Sequence, residues 1–311
     1  MKDRILGLHH ITAIAGNAKR NLDFYTKVLG LRLVKKTVNF DDPSTYHLYY
    51  GDEAGSPGSI LTFFPWEGIM QGRKGTGMAT EIGYAVPEGS LDYWVKRFEE
   101  HNVIYNKPSE RFGEQYLPFL DPDGLKLELI VPAKEDKRVP FVTDKVGAEV
   151  ATKGFHNITL NLNSIKGTAA VLTDVFGYRL DAEHVNRFRF VSDAIETANI
   201  VDLVEVSGEP KGHVAGGTIH HVAFRVQDEE TLMKFRDKVI AHGIGITEKI
   251  DRNYFYSLYF REPGGVLFEI ATDNPGFSVD ESVSELGTHL KLPAQYESKR
   301  NEIEQLLPQL S

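Results

Sequence analysis

The chain has 311 residues, 35 Lys and Arg against 44 Asp and Glu, a formal charge of −9, and no cysteine. That length suits one large domain or two of ordinary size, and the acidic balance argues against a nucleic-acid partner. The lack of cysteine excludes disulfides, thiolate metal ligands, iron–sulfur clusters and a cysteine nucleophile, and it suits a reducing, cytoplasmic setting.

The opening MKDRILGLHHITAIAG carries too short an apolar run for a signal peptide. No segment reaches the roughly 18 apolar residues of a membrane span, so no membrane association is expected. The motif GLHHIT (Gly7–Thr12) reads as a strand, followed by the helix-like NLDFYTKVLGLRLV (Asn21–Val34). Gly30 sits where the helix should stop, in the left-handed cap that glycine occupies cheaply. A second unit starts at ATEIGYAV (Ala79–Val86), runs through the helical LDYWVKRFEEH and ends on DPDGLKLELIVP (Asp121–Pro132). Then comes PAKEDKRVPFVTDKVGAEVA (Pro132–Ala151), charged and without apolar periodicity, the best linker in the chain.

Beyond it the pattern repeats. GFHNIT (Gly154–Thr159) and AAVLTDVFGYRLD (Ala169–Asp181), with Gly177 as the cap, match the first unit. IHHVAFRV (Ile219–Val226), TLMKFRDKVIAHG and EPGGVLFEIATD (Glu262–Asp273) match the second. The chain therefore divides into an N-terminal half, 1–131, with modules 5–66 and 78–131, a linker 132–151, and a C-terminal half with modules 152–206 and 218–272. Residues 273–311 form an extension packed on the surface. Each module has the size of a βαβββ unit, and the expected fold class is α+β, four such units paired into two open, cup-like barrels.

Paired positions of a repeat share structural residues and differ at functional ones. Laying the units over one another puts His10 opposite Asn157, His221 opposite Glu81 and Glu269 opposite Glu128. One cup thus collects His10, His221 and Glu269, two imidazoles and a carboxylate in the facial arrangement suited to non-haem Fe(II), with Mn(II), Zn(II) or Ni(II) able to use the same donors. The other collects Asn157, Glu81 and Glu128, whose two carboxylates could still hold a stray ion. Singly, each residue has an ordinary explanation, since histidines beside strands are commonly structural and alternate strand residues face solvent. The doublets His9–His10 and His220–His221, at equivalent module starts, favour the metal reading.

On these residues, GLHHIT at the start, HHVAF before the fourth unit and GGVLFEIATD at the end, the chain resembles the vicinal oxygen chelate superfamily over nearly all of 5–273. Within that superfamily it resembles the ring-cleaving dioxygenases that open hydroquinones and related phenols. The resemblance implies Fe(II) held by His10, His221 and Glu269, with His9 and His220 beside the ligands as proton-handling groups. It also implies Thr12 near the substrate and Arg252 and Tyr259 lining the pocket. The implied partners are a small aromatic substrate and O2, and a homo-oligomer is compatible with the pattern. His156 repeats His9 where no ligand set is complete, whereas Thr80 replaces His220, so His220 ranks above His9 as a catalytic group. Aromatic packing is the ordinary account of Tyr259, and surface charge that of Arg252. Two other classes share the fold. Glyoxalase-like isomerases or lyases usually carry a second glutamate in place of one histidine, and non-enzymatic aromatic- or drug-binding proteins need no ligand set.

Overall fold

The computed structural model describes residues 4–310. Module one contributes β1 (Leu8–Ala15), α1 (Ala18–Asp23), β2 (Arg32–Val38), β3 (Tyr46–Gly51) and β4 (Ile60–Pro65). Module two contributes β5 (Met78–Ala85), α2 (Leu91–Glu100), β6 (Ser109–Arg111), β7 (Glu114–Leu120) and β8 (Lys126–Val131). Module three follows with β9 (Phe155–Leu162), α3 (Lys166–Ala170), β10 (Arg179–His184), β11 (Arg187–Val191) and β12 (Ile200–Glu205). Module four closes with β13 (Thr218–Val226), α4 (Glu229–Ala241), β14 (Ile250–Asp251), β15 (Phe255–Arg261) and β16 (Leu267–Pro275). A short helix α5 (Arg300–Leu306) ends the extension. No helix among the described residues is long and apolar enough to cross a membrane.

The strands form two curled eight-stranded sheets. One has the order β14-β15-β16-β13-β1-β4-β3-β2, the other β10-β11-β12-β9-β5-β8-β7-β6. Module one therefore joins module four through the antiparallel pair β1–β13, and module two joins module three through β5–β9. The helices follow a different partition. Arg97 of α2 donates to the carbonyls of Lys27 and Val28 in module one at 2.6 and 2.7 Å, and Tyr25 donates to Asp121 at 3.0 Å. Phe176, just after the helical turn of module three, packs at 4.8–6.2 Å against Phe224, Phe235, Phe260 and Phe268 of module four. Sheets are shared across the halves and helices within them, so neither half holds a complete cup of its own.

In modules one and three, the helix that the sequence leads one to expect is broken in two. A short α-helical turn passes into a π turn, Phe24–Val28 and Val171–Val175, closed by Leu29 N–H to Phe24 O and Phe176 N–H to Val171 O, both 3.1 Å. Gly30 and Gly177 then take φ of +72° and +76°, as the left-handed cap requires. A side chain at Gly30 would also drive its Cβ to 2.8 Å from Val146 of the linker.

Beyond β16, the extension is pinned by a buried cation. Lys35 on β2 is fully buried, its Nζ 2.6 Å from Asp280 and also paired with Glu281. Tyr254 donates to Asp280 at 3.0 Å, and its ring lies 4.9 Å from the Lys35 ammonium. Phe277 stacks on Tyr254 at 5.1 Å, fixing the wall behind β3 and β15.

Candidate metal centre

Alternation along five strands of the first sheet turns one set of side chains into its concave face: His10 and Thr12, His47 and Tyr49, Thr62 and Phe64, Ser257 and Tyr259, Leu267 and Glu269. Register brings them together across strands, since Thr12 lies opposite His221 and Thr62, and Glu269 lies opposite Ala223 and Tyr259. The histidine doublets break that alternation. Between Leu8 and His10, and again between Thr12 and Ala13, the β1–β13 ladder skips a residue, leaving His9 and His220 as bulges. The β5–β9 ladder skips at the equivalent places, at Thr80 and His156. A bulge re-aims its side chain, so two successive residues can serve one site.

The three expected donors converge. His221 Nε2 is 2.9 Å and His10 Nε2 3.2 Å from Glu269 Oε2, and the two Nε2 atoms are 3.3 Å apart. All three side chains are buried. Ser257 donates to Glu269 Oε1, while Oε2 has no hydrogen-bond partner.

The protons can be placed by following the chain of partners. His9 Nε2 faces the Thr272 carbonyl at 3.1 Å and must donate to it. His9 Nδ1 then accepts from His10 Nδ1, 2.9 Å away, which leaves His10 Nε2 bare beside Glu269. In the second doublet His220 Nδ1 lies 2.8 Å from His221 Nδ1, and the same polarity there would leave His221 Nε2 bare and put the His220 proton on its outer nitrogen. With that polarity, two lone pairs and a carboxylate oxygen lie within hydrogen-bond distance of one another, a donor set that fits a divalent cation. Two neutral imidazoles with one carboxylate suit Fe(II), Mn(II) and related ions.

The donors open on a cavity of about 400 Å³ lined by His10, Thr12, His47, Tyr49, Phe64, Trp66, His220, His221, Arg252, Phe255 and Tyr259 among others. The structure thus gathers His10, Thr12, His220, His221, Arg252 and Tyr259 around one cavity with Glu269 among the donors, whereas His9 sits behind His10 without lining the cavity. Burial, then His221, push the His220 imidazole down to about 4, so it is neutral at physiological pH. Burial likewise raises the Tyr259 phenol, to which Arg252 Nε donates at 3.2 Å. The sequence reading missed His47, Tyr49 and Thr62. Laying HLYYG of β3 over RFRFV of β11 would have exposed the first two, because the matched positions carry Arg187 and Arg189.

Those arginines decide the fate of the second cup. Arg111 binds Glu128 in a bidentate fork at 2.6 and 3.2 Å, and Arg187 binds Glu81 at 2.9 Å. Arg189 binds Asp202 at 2.9 Å and Glu114 at 2.6 Å, and Asn157 donates to Asp202 at 2.9 Å. The two carboxylates left at the counterpart positions are thus neutralised by guanidinium groups rather than turned towards an ion.

The chain belongs to the Glyoxalase/Bleomycin resistance protein/Dioxygenase superfamily, whose family model matches residues 7–129 and 154–270. Several relatives span nearly its full length. It is 47% identical over 309 residues to MhqO of Bacillus subtilis (strain 168), named as a candidate ring-cleaving dioxygenase, with 99% of this chain and 98% of the relative covered. It is 35% identical over 311 residues to the chlorohydroquinone/hydroquinone 1,2-dioxygenase of Sphingobium indicum, covering 97% and 96%. The crystal structure of a candidate dioxygenase from Bacillus subtilis superposes with a TM-score of 0.95 at 45% identity, covering 100% of this chain and 99% of that one.

Proposed function

We propose that this protein is a non-haem Fe(II) dioxygenase that opens the ring of a dihydroxylated aromatic compound, with hydroquinones favoured over catechols. The observation that carries the reading is the bare His10–His221–Glu269 donor set at the floor of an aromatic-walled cavity, in a chain that aligns end to end with a hydroquinone 1,2-dioxygenase. Bound there, Fe(II) would supply open coordination positions and the redox capacity that lets O2 react with a closed-shell ring.

The chain's own residues do the rest. Phe64, Trp66 and Phe255 give the ring an apolar, polarisable slot from which water is displaced. His220 holds a proton at its outer nitrogen and offers it to an oxygen of the substrate or product. Tyr259, kept protonated by burial, offers a second donor, and Arg252 anchors that phenol and faces negative charge developing in the ring. His9 acts through His10 as a positioning residue, fixing the tautomer that leaves Nε2 free.

The test is anaerobic reconstitution with Fe(II), followed by oxygen-electrode measurements on a panel of hydroquinones and catechols. Oxygen uptake with formation of a ring-opened product is expected, and zinc-loaded protein should take up none because Zn(II) has no redox couple. An iron-loaded protein that consumes no oxygen with any of them, yet isomerises a hemithioacetal, is a glyoxalase-like enzyme instead.

A further inference from the structure

Opposite the metal donors, three buried side chains and the half-buried His47 form a continuous hydrogen-bonded line. Tyr49 OH lies 2.9 Å from His47 Nδ1, His47 Nε2 lies 2.9 Å from Thr62 Oγ1, and Thr62 Oγ1 lies 2.8 Å from Thr12 Oγ1. Tyr49, His47 and Thr12 line the cavity, whereas Thr62 is fully buried behind them. The His47 ring is clamped between Tyr49 at 4.1 Å and Phe64 at 4.3 Å, so it cannot swing out of line.

Each of these groups can both donate and accept, and a neutral imidazole carries a single ring proton. The line therefore has two polarities. In one, Tyr49 donates to Nδ1, Nε2–H donates to Thr62, Thr62 donates to Thr12, and the Thr12 proton is free for the cavity. In the other every bond is reversed, and the Tyr49 proton is the free one.

The second cup supplies the control. The same register that sets Tyr49 opposite Thr62 and Thr62 opposite Thr12 sets Arg189 opposite Asp202 and Asp202 opposite Thr159. Arg187 occupies the place of His47. There Arg187 donates to Thr159 at 2.8 Å and Arg189 to Asp202 at 2.9 Å. Guanidinium only donates and carboxylate only accepts, so that line has one fixed direction. The reversible version exists only in the cup that carries the metal donors.

We propose that Tyr49–His47–Thr62–Thr12 is a proton wire that takes a proton from one hydroxyl of the bound ring and returns one elsewhere in the same cavity. The proposal rests on the dioxygenase reading above. A ring hydroxyl gives its proton to the Tyr49 oxygen as the phenolic proton moves to His47 Nδ1. The Nε2 proton passes to Thr62, the Thr62 proton to Thr12, and the Thr12 proton to a water molecule in the cavity. One proton enters, one leaves, and no residue ends charged. His47 finishes as the other tautomer.

Two measurements test this. In zinc-loaded protein carrying 15N-histidine, hydroquinone added anaerobically up to its solubility limit should move the His47 ring proton from one nitrogen to the other, read from the 15N shifts. An unchanged tautomer overturns the wire. In iron-loaded protein, Thr62→Val should lower kcat by about 10²-fold with KM and iron content unchanged, while Thr62→Ser restores it. Thr62→Val turning over like the unaltered protein, or Thr62→Ser failing like Thr62→Val, overturns it as well. If the unaltered iron protein opens no dihydroxylated ring, the dioxygenase reading fails by itself, and the NMR measurement still decides the wire.

Discussion

At the scale of single residues, the repeat turns metal binding into a controlled experiment. Glu269→Ala removes the carboxylate between two bare imidazole nitrogens and should abolish stoichiometric iron binding, measured by metal analysis after dialysis. Glu128→Ala, at the matched position, should leave the iron content intact. Its cost appears in stability, at about 1–3 kcal/mol, because it orphans a largely buried Arg111. His9→Ala removes the acceptor that fixes the His10 tautomer. Loss of such an outer partner typically costs 10–100-fold in metal affinity, and a competition titration with a chelator should show a weakening of about that size, with the fold intact by circular dichroism.

At the scale of elements, the extension behaves as a strap on the back of the cup. Its hold depends on Lys35, whose ammonium is fully buried between Asp280 and Glu281 and beneath the Tyr254 ring. Removing one partner of a buried pair leaves the other charge in a poor solvent, at a cost of about 3–5 kcal/mol. Lys35→Ala should lower the urea midpoint by the corresponding amount and make the segment after β16 the first site of limited proteolysis. Proteolysis starting elsewhere, with residues 276–310 still protected, would show that apolar contacts such as Phe277 on Tyr254 hold the strap without the cation.

Much of this element order is legible in the amino-acid pattern, for identifiable reasons. The module starts could be read because two doublets, His9–His10 and His220–His221, interrupt otherwise regular strands. Glu269 could be read because an acidic-Pro-x-Gly turn announces its strand. The π turns could not, since Phe24–Val28 and Val171–Val175 carry an ordinary helical apolar pattern. Nor could the wire as a whole, because Thr62, which joins its two ends, is a common strand residue whose meaning depends on register. That the arginines of module three neutralise the second cup also needed geometry, as nothing local distinguishes Arg187 or Arg189 from surface charges.

At the scale of the molecule, the two cups stabilise the protein by opposite means and should respond differently to acid. Glu114 belongs to the charged network of the second cup. Burial opposes its ionisation, but His156 at 3.0 Å and Arg189 at 2.6 Å hold its carboxyl at about 2, against 4.5 for a free glutamate. A carboxyl depressed in the folded state contributes stability above its unfolded value and loses it as pH falls towards the folded one. That window is from 4.5 down to about 2. Glu114→Gln should therefore be less stable than the parent at neutral pH, with the gap in Tm closing through that window. A gap that stays constant there would assign the network a purely geometric role.

The joining of β1 to β13 has a consequence in time as well as space. A ribosome adding about 5–20 residues per second needs on the order of 10–40 s to travel from the first of these strands to the second. Throughout that interval the first module waits with an open flank, while β5 to β12 can already assemble beside it into a finished sheet. Iron capture is then a late event in the life of each molecule, reserved for chains whose synthesis has passed Glu269, so an interrupted translation product carries no assembled site for oxygen chemistry.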